Sequence, residues 1–505
     1  VLQSKFFYTP SYEIYGGVKG LYDYGPLGSA IYENVVSLWK KWFIFEENMQ
    51  QIQTTVLTPE TVFKASGHCD NFEDKMVRDT ITGDAYRADH LLEATISNLL
   101  KNKDLLQQEI NTLNMDFSRA DDFTLEELAD KLKQYNVISD AGNPISAPFL
   151  FNLMFSTNIG ATGKIKGYLR PETAQGIFVN FSRLLEYNGG KLPFACAQIG
   201  TVFRNEIAPR SGLLRVREFV QAEIEHFVNP NDKSHKKFHI IKHIKLPLYS
   251  QKSQLSNDKV ITFMTCEDAV NNEIIDNQTL CYFLARTYLF LLKIGAHEGK
   301  IRFRQHLPNE MSHYAISCWD AELLTSYGWI ECVGHADRAA YDLTVHEQAS
   351  NHSLSAFVLF PNGSREIEYL AINVNTGLLR KQYKEQKKDI VDYLDNIKNN
   401  QVKLKSLQNQ IERNEANLFG IQITSEMIQF KIIKKMMSGE NVIPNVIEPS
   451  FGIGRIIYAI LEHAYDIIHD KTVLKLNPMI APILCSVLPL LNKPELVEQA
   501  IKVET

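Results

Sequence analysis

The sequence predicts an α+β protein: an antiparallel sheet flanked by helices, with helical and mixed insertions. Two observations carry this prediction. Short apolar runs alternate with turns between about residues 164 and 228, a spacing that favours an antiparallel over a doubly wound parallel sheet. Helical periodicity is clearest from about 89 to 136 and from about 390 to 418. The chain has 505 residues, enough for a large core and for two or more domains.

Composition narrows the class of protein. The chain is 45% hydrophobic and 22% charged, with a net charge of −6, which argues against a protein that coats nucleic acid through bulk positive charge. Its seven cysteines include no Cys-x-x-Cys, so we expect a reducing compartment rather than a disulfide framework or a structural zinc site. The segment His68–Asp70 has metal-ligand residue types but no second cluster at ligand spacing, so we expect a loop there. Without a signal-peptide pattern or a long apolar run, the sequence predicts a cytoplasmic protein that does not enter a membrane.

The first elements are a helix and an extended segment. Apolar residues recur at helical spacing from about Ala30, at Ile31, Val35, Leu38, Trp39 and Trp42. The segment Ile52–Pro59 alternates β-branched residues and ends in a proline, which predicts an edge strand.

Helices and then strands follow. Thr124 and Glu127 have the spacing of a capping box at the start of a helix, inside the helical region 89–136. Strands are then predicted at Gly167–Arg170, Phe194–Ile199 and Phe219–Glu225.

The later insertion should combine a hairpin with helices. Two β-rich runs, Ala356–Phe360 and Ile367–Ile372, flank the turn signal Pro361–Ser364 and predict a hairpin. An apolar residue then recurs every seventh position from Ile390 to Leu418. This single seam favours a helix or helical pair packed on the body over a coiled-coil dimer. Basic residues crowd the same segment and predict a solvated face, with contact to RNA backbone as the alternative; they are Arg380, Lys381, Lys384, Lys387, Lys388, Lys398, Lys403 and Lys405.

Two segments far apart in the chain carry arginines in settings suited to nucleotide phosphate. The first is Phe203–Glu206, followed by Arg215 and Phe219; the second is Glu448–Arg455. Arginine presents a rigid fork of donors and stays charged, which suits a phosphoryl oxygen that gains charge during reaction. A phenylalanine four residues after an arginine can stack on a purine ring. Together the two segments indicate an ATP-using enzyme.

The same segments resemble signature motifs of the class II aminoacyl-tRNA synthetases. Phe203–Glu206 with Arg215 and Phe219 is similar to motif 2, and Gly452–Arg455 is similar to motif 3. The helix from about Ala30 that leads to Pro59 is similar to motif 1, which builds the dimer interface in that class. The resemblance therefore implies a homodimer.

Within this class, the chain resembles the eukaryote-type, dimeric glycyl-tRNA synthetase family from about residue 5 to 489. The segments that carry this likeness are Tyr15–Val18, Ser66–His68, Tyr168–Phe178, Ala222–Phe227, Arg302–His306, Tyr327–Glu331 and Pro444–Ser450. By this likeness the catalytic domain comprises 1–88 with motif 1, 161–349 with motif 2 and 439–475 with motif 3, with insertions at 89–160 and 350–438. Residues 476–505 would begin a truncated anticodon-binding domain, with Ala481–Pro489 as its first strand.

The resemblance assigns roles in ATP binding and catalysis. Arg204, Glu206 and Arg455 would be the catalytic residues, with Arg204 on the α-phosphate and the attacking carboxylate and Arg455 on the γ-phosphate. Phe219 would stack on adenine, Glu206 would accept from its amine, and Glu331 would help to hold Mg²⁺. The whole ATP-binding set is Arg204, Asn205, Glu206, Arg215, Val216, Phe219, Glu331, Cys332 and Arg455.

The resemblance also assigns a glycine site, made of Glu172, Glu223, Glu448, Pro449 and Ser450. Three carboxylates would attract the ammonium of glycine and narrow the space around its α-carbon. Buried carboxylates need counter-charges, and we expect Arg170 and the bound ammonium to supply them.

The implied function is ATP-dependent ligation of glycine to the 3′ end of tRNA(Gly). One alternative is a class II synthetase for another small amino acid, such as serine, threonine or proline, and the three glutamates argue against it. The other is a non-catalytic binding protein with this fold, like the accessory subunit of mitochondrial DNA polymerase. Retention of Arg204, Arg215 and Arg455 argues against that alternative.

Overall fold

The structure, a computed structural model, describes residues 2–102, 104–209, 211–256, 258–383, 386–398 and 401–504. They form two compact units. The first comprises the chain up to residue 356 together with the chain from residue 443 onward, and the second comprises residues 357–442. The second unit overlaps the insertion that we expected at 350–438.

The strands are numbered in chain order. Those before residue 356 are β1 (Tyr8–Pro10), β2 (Tyr22–Tyr24), β3 (Gln50–Gln51), β4 (Leu57–Pro59), β5 (Glu73–Arg78), β6 (Ala85–Arg87), β7 (Phe149–Asn152), β8 (Ser156–Ile159), β9 (Ile165–Leu169), β10 (Phe194–Phe203), β11 (Glu218–Val228), β12 (Lys245–Tyr249), β13 (Thr262–Thr265), β14 (Ile301–Gln305), β15 (Ser317–Thr325) and β16 (Gly328–Ala339). The later strands are β17 (Ala356–Leu359), β18 (Arg365–Val374), β19 (Asn417–Leu418), β20 (Ile421–Gln422), β21 (Ile428–Met437), β22 (Gly439–Val442), β23 (Asn445–Gly452), β24 (Tyr465–Ile468) and β25 (Lys471–Leu474).

The α-helices are numbered in the same way. Those before residue 300 are α1 (Pro26–Trp39), α2 (Glu60–Ala65), α3 (His68–Asn71), α4 (Ala88–Leu99), α5 (Gln107–Ser118), α6 (Leu125–Gln134), α7 (Ala174–Phe178), α8 (Phe181–Tyr187), α9 (Phe238–Ile241), α10 (Gln251–Leu255), α11 (Cys266–Asn271) and α12 (Gln278–Ile294). The later helices are α13 (Tyr341–Ser350), α14 (Thr376–Gln382), α15 (Lys387–Ile397), α16 (Gln401–Glu412), α17 (Ile453–Ala464) and α18 (Pro494–Glu504). A π-helix spans Lys40–Phe45, and 3₁₀ turns lie at Glu13–Tyr15, Gly212–Leu214 and Glu298–Lys300.

A nine-stranded sheet organises the first unit. Its strand order is β13-β12-β14-β15-β16-β23-β11-β10-β3. The central strands pair antiparallel: β15 with β16, β16 with β23, β23 with β11, and β11 with β10. The predicted α+β fold is therefore confirmed, and the centre of the sheet is antiparallel as expected, whereas β12 with β14 and β10 with β3 pair in parallel and make the sheet mixed. The strand order places β10, β11, β23 and β16 side by side.

Helices cover the sheet and bury an aromatic core. The predicted N-terminal helix is confirmed as α1, which begins at Pro26 and buries Trp39. The π-helix that continues it buries Phe43, whose ring lies 4.9 Å from that of Phe451 on β23. Phe290 of α12 packs on the same Phe43 at 5.6 Å. This core holds the strand that carries the second arginine segment.

Three further N-terminal predictions have different outcomes. The helical region 89–136 is confirmed as α4, α5 and α6, and Thr124 and Glu127 form the expected capping box. Within Ile52–Pro59 only the last three residues form a strand, β4. The residues before them belong to no strand ladder. That strand does lie at the edge of its small sheet. The expected loop at His68–Asp70 is instead the short helix α3.

The hairpin predicted in the insertion is wrong. β18 pairs with β21 over ten residues, from Arg365 opposite Met437 to Val374 opposite Ile428, and β17 pairs with β22. The turn around Gly363 exists, with φ of +80°, but it joins two strands that pair elsewhere. A long antiparallel ladder satisfies more backbone groups than the short predicted hairpin, and this explains the outcome.

The apolar seam of the insertion forms the predicted helical pair, α15 and α16. Ile390, Ile397, Leu404 and Ile411 are buried in a core of the second unit that also contains Ile428 of β21. Arg380, Lys381, Lys388, Lys398 and Lys405 are exposed, and Lys384 lies outside the described residues. The pair thus packs on the strands of its own unit.

The segment Ala481–Pro489 is irregular rather than the strand that we expected. Ile483, Leu484 and Leu488 are exposed, and no sheet of the described residues includes this segment. A strand needs a hydrogen-bonded neighbour, which explains the difference. Within the described part of the chain, no helix combines the length and apolar composition needed to span a bilayer. All seven cysteines lie in that part and are free thiols.

Candidate active site

An open cleft of about 1100 Å³, counting the space at its mouth, lies over the central strands β11, β16 and β23. Both arginine segments and all three glutamates of the predicted glycine site reach it. Of the predicted site residues, the following line it: Glu172, Arg204, Glu206, Arg215, Val216, Phe219, Glu223, Glu331, Cys332, Glu448, Ser450 and Arg455. Residues far apart in sequence are therefore brought to one place by the order of the strands.

Two predicted site residues, Asn205 and Pro449, are not among those that line the cleft. Side chains alternate between the two faces of a strand. Glu448 and Ser450 of β23 therefore share the cleft side, and Pro449 between them faces away. Asn205, between Arg204 and Glu206, instead donates its backbone N–H to Leu153 O at 2.7 Å.

Arg204 directly follows β10, and contacts of its guanidinium group hold the side chain in place. Its Nε donates to Pro171 O at 3.2 Å, and its guanidinium lies 5.5 Å from the ring centroids of both Phe72 and Phe219. Cation–π contacts of this kind orient a guanidinium without neutralising it. The charge therefore stays available to an anion in the cleft.

Arg455 and Glu331 form the other charged wall. Arg455 lies in the first turn of α17; its Nε donates to Leu214 O at 2.9 Å, and its Nη1 donates to Glu331 O at 2.9 Å. The Glu331 carboxylate lies 3.4 Å from Nη1, and its side chain is 52% exposed. Partial desolvation by the walls of the cleft raises the pKa of Glu331, but the charges of Arg455 and Arg204 outweigh that effect and lower it. Glu331 is therefore ionised and accessible, which fits a ligand for a divalent cation.

The remaining wall of the cleft can accommodate a planar nucleotide base. Phe219 is half-buried on β11, and Val216 is buried just before that strand. Glu206 is partly exposed, and its backbone O accepts from Arg217 Nη2 at 2.9 Å. Burial raises the pKa of Cys332 to about 12, so it is a neutral thiol rather than a nucleophile.

Glu223 forms the floor of the predicted glycine site. It is 1% exposed; its Oε2 accepts from the backbone N–H of Thr173 at 2.6 Å, and its Oε1 accepts from Ser450 Oγ at 2.8 Å. Burial and the charge of Glu172 raise its pKa above the ordinary value, while these hydrogen bonds oppose the rise. The donors fix the carboxylate in one orientation.

Arg338 ties the other carboxylates together. Its Nη1 donates to both oxygens of Glu448 at 3.0 Å, and its Nε donates to Asp342 at 2.7 Å. Its Nη2 lies 3.7 Å from Glu172, and its guanidinium stacks 3.8 Å from the ring centroid of Tyr314. The side chain of Arg338 is 1% exposed. Its planar guanidinium group is therefore buried and holds the carboxylates of the pocket in position.

The expected counter-charge Arg170 makes no direct ion pair with a pocket carboxylate, although burial lowers its pKa and the charge of Glu223 opposes that effect. Its Nε donates to Thr201 O at 3.0 Å and its Nη1 donates to Thr54 O at 3.0 Å, because it packs against Gly200, where a Cβ would approach it to 2.1 Å. Arg338 takes the place predicted for it. Asp342 lies only four residues after Arg338, but nothing in the local sequence marks a role that also depends on the distant carboxylates of Glu172 and Glu448.

The pocket carries a surplus of acidic groups. Burial raises the pKa of Glu448, and Glu223 and Glu172 add to the rise, although Arg338 opposes it. For Glu172, burial raises the pKa, but His68 and Arg338 outweigh it and lower the value. One arginine is thus shared among Glu172, Glu448 and Asp342. Such an arrangement favours the arrival of a cation the size of an ammonium.

Several further residues contribute to the site although the sequence did not predict them. Gln175 donates to Glu172 at 2.8 Å, His68 Nε2 lies 3.5 Å from the same carboxylate, and Gln221 donates to Ser450 at 3.3 Å. His306, Cys318 and Asp320 also line the cleft. For His68, Gln175 and His306 a signal existed, because all three lie inside segments that resembled the synthetase family.

Comparison with known proteins agrees with this geometry. Residues 161–464 match the tRNA synthetase class II core domain (G, H, P, S and T). Glycine–tRNA ligase 2 of Saccharomyces cerevisiae is 46% identical over 477 residues, which cover 93% of this chain and 77% of that protein. The chain belongs to the glycine–tRNA ligase family.

Other members of the glycine–tRNA ligase family are similarly close. The glycine–tRNA ligase of Methanocaldococcus jannaschii is 43% identical over 504 residues, covering 98% of this chain and 84% of that protein. That of Drosophila melanogaster is 46% identical over 506 residues, and the chain spans 66% of its length. The predicted membership of class II and of its glycine-specific family is therefore confirmed.

Proposed function

We propose that this chain activates glycine with ATP to form glycyl-adenylate and then transfers the glycyl group to the 3′ end of tRNA(Gly). One observation carries the proposal: Glu172, Glu223 and Glu448 converge in the same cleft as Arg204 and Arg455. A cation-attracting pocket beside phosphate-binding arginines fits an amino acid and a nucleotide bound next to each other.

Activation is an in-line displacement at the α-phosphate. A carboxylate oxygen of glycine attacks phosphorus, the bond to the bridging oxygen of the β-phosphate breaks, and pyrophosphate leaves. Arg204 holds the attacking carboxylate and the α-phosphate, where charge develops. The residues mainly orient the reactants and stabilise charge, since no difficult proton transfer is required.

The rest of the cleft holds the nucleotide. Phe219 stacks on adenine, Glu206 accepts from the adenine amine, and Arg215 and Arg455 bind the γ-phosphate. Glu331 would hold Mg²⁺, which supplies charge neutralisation on the phosphates when bound. Support for Glu331 comes from its exposed, ionised carboxylate beside Arg455.

Glycine is selected by charge and by space. Its ammonium compensates the acidic surplus of the pocket, and Glu223 is held in place by Thr173 and Ser450. A side chain on the α-carbon would meet rigid, buried groups rather than a mobile surface, so even one methyl group is disfavoured.

We also assign the partners that the family resemblance implies. The region from about Ala30 to Pro59 would form a homodimer interface, and the second substrate is tRNA(Gly). A cytoplasmic location is supported by the seven free thiols, since such cysteines persist in reducing compartments.

Charging of tRNA tests this proposal. Purified chain, ATP, Mg²⁺ and labelled glycine are incubated with tRNA(Gly), and acid-precipitable label is measured. We expect label on intact tRNA and none on tRNA whose terminal ribose has been oxidised with periodate. Label from serine or alanine at the rate of glycine would contradict the proposed specificity, and no label with a folded dimer would contradict the transfer step.

A further inference from the structure

A group of three potential metal ligands lies in the cleft beside the proposed nucleotide site. Ligand atoms of His306, Cys318 and Asp320 all lie within 4.8 Å of one another. Asp320 is buried, whereas His306 and Cys318 are partly exposed to the cleft that they line. None of the three has a role in the activation of glycine described above.

The backbone fixes the relative positions of these residues. β14 and β15 pair antiparallel with Gln305 opposite Trp319, so His306 lies next to Cys318. The His306 N–H donates to Cys318 O at 3.0 Å, which holds the two together. Cys318 and Asp320 are two residues apart on β15 and therefore face the same side of the sheet. A site on paired strands is more rigid than one on a loop.

The ligand types identify the class of ion. Mg²⁺ prefers a shell made only of oxygen, whereas imidazole, thiolate and carboxylate together suit Zn²⁺ and related transition metals. Three protein ligands with an open fourth position are typical of zinc sites that exchange ligands. We propose that His306, Cys318 and Asp320 bind one transition-metal ion of the zinc class, with the fourth coordination position open to the cleft.

Metal binding would replace existing contacts without leaving charges unpaired. His306 Nε2 lies 2.8 Å from Asp320 Oδ2, and the ion takes the place of this contact. Arg304 lies 3.4 Å from the same oxygen but keeps its partner Glu310, at 2.8 Å. The Cys318 thiol and the protonated His306 imidazole each release one proton to solvent as the bonds to the metal form, so that a thiolate and a neutral imidazole become ligands.

The open position has a consequence for ATP. A phosphate oxygen entering the cleft could complete the coordination, so the ion would alter the affinity for ATP. This consequence rests on the proposed function, whereas metal binding by the three residues does not. The two can therefore fail separately in experiment.

Cobalt binding tests the site directly. The metal-free 505-residue chain is titrated with Co²⁺ in the absence of ATP, and absorbance is followed in the near ultraviolet and visible. We expect one equivalent to give thiolate-to-cobalt charge transfer with the visible bands of tetrahedral cobalt, and Zn²⁺ to displace it. Cys318→Ser should lose the charge-transfer band, while Cys485→Ser, which removes an exposed thiol, should retain it.

A second variant protects the test against misfolding. Circular dichroism checks the fold of each protein, and His306→Ala should weaken cobalt binding at least ~10-fold, as loss of a ligand contact does. Charge transfer that survives in Cys318→Ser or disappears in Cys485→Ser would overturn the proposal. So would His306→Ala and Asp320→Asn proteins that bind cobalt as tightly as the unaltered chain.

Discussion

Arg338 shows how much of the pocket depends on a single buried side chain. It contacts Glu448, Asp342 and Glu172 while being 1% exposed. Removing one partner of a buried ion pair leaves the charge of the other partner uncompensated, whereas replacing both partners together does not. The arginine therefore supports the shape of the pocket as well as its charge.

Arg338→Met should lower the free energy of unfolding by about 3–5 kcal/mol, because three carboxylates lose their shared cation. Urea unfolding followed by circular dichroism measures the change. Arg183→Met, at an exposed position, is the control and should change stability by less than about 0.5 kcal/mol. An Arg338→Met protein as stable as the control would show that the cluster is not held by this charge.

Glu225 predicts a pH dependence of stability. Both of its carboxylate oxygens are buried without a hydrogen-bond partner among the described residues. Burial, together with the charge of Glu448, raises its pKa well above 4.5, and Arg338 opposes this only in part. The folded chain thus keeps a proton that the unfolded chain releases above about pH 4.5. The free energy of unfolding therefore falls as the pH rises from about 4.5 towards the raised pKa of Glu225 in the folded chain.

Glu225→Gln removes that dependence, since an amide has no proton to release. The variant should gain stability relative to the unaltered chain by up to about 1.4 kcal/mol for each pH unit between the two pKa values. Paired urea titrations at about pH 5 and about pH 8 measure the difference, and other titrating groups cancel because both proteins contain them. Glu186→Gln, at an exposed position, should show no such trend. A constant difference between Glu225→Gln and the unaltered chain would contradict the raised pKa.

The residues found from sequence and those missed differ in kind. Arg204, Arg455 and Phe219 lie in short segments whose local order carries their chemistry. Arg338 contacts Glu172 and Glu448, and His68 contacts Glu172, across long stretches of chain, and no local pattern reports such contacts. The hydrogen bonds of Arg170 to Thr54 and Thr201 could not be predicted for the same reason, since these neighbours are brought to it only by the fold.

At the scale of elements, the helical pair α15 and α16 is held by its apolar seam. Leu404→Ala should destabilise the second unit by about 2–5 kcal/mol, because the side chain is fully buried. Hydrogen exchange of amides in β18 and β21 measures the change. Ser406→Ala, on the exposed face of the same helix, is the control and should have little effect. Equal exchange rates in the two variants would contradict the packing described.

Periodicity predicted elements better than it predicted partners. The helices α1, α4 and α6 follow from apolar spacing and, for α6, from its capping box, which are local signals. The pairing of β18 with β21 joins residues more than fifty positions apart, with three helices between the strands, and a turn signal at Gly363 could not reveal it. Strand pairing is a long-range property, so a local reading favours the nearest partner.

At the scale of the molecule, every residue of the proposed mechanism belongs to the first unit. Residue 172 and residue 455 meet at one cleft on the nine-stranded sheet, and no described residue of the second unit, 357–442, is among those that line it. The overall architecture could be predicted because motif segments mark several strands of that sheet. The boundaries of the individual domains stay predictions, since they depend on long-range contacts that the sequence does not reveal.

Glycine-dependent exchange of pyrophosphate into ATP tests the central claim most directly. The assay uses the unaltered chain with glycine, alanine or serine, and compares Arg204→Ala with Arg183→Ala as a matched control. We predict exchange with glycine alone, reduced by about 10²–10³-fold in Arg204→Ala, the usual cost of removing a donor at developing charge, and unchanged in Arg183→Ala. Absence of exchange in the folded protein, or equal exchange with alanine, would contradict the account.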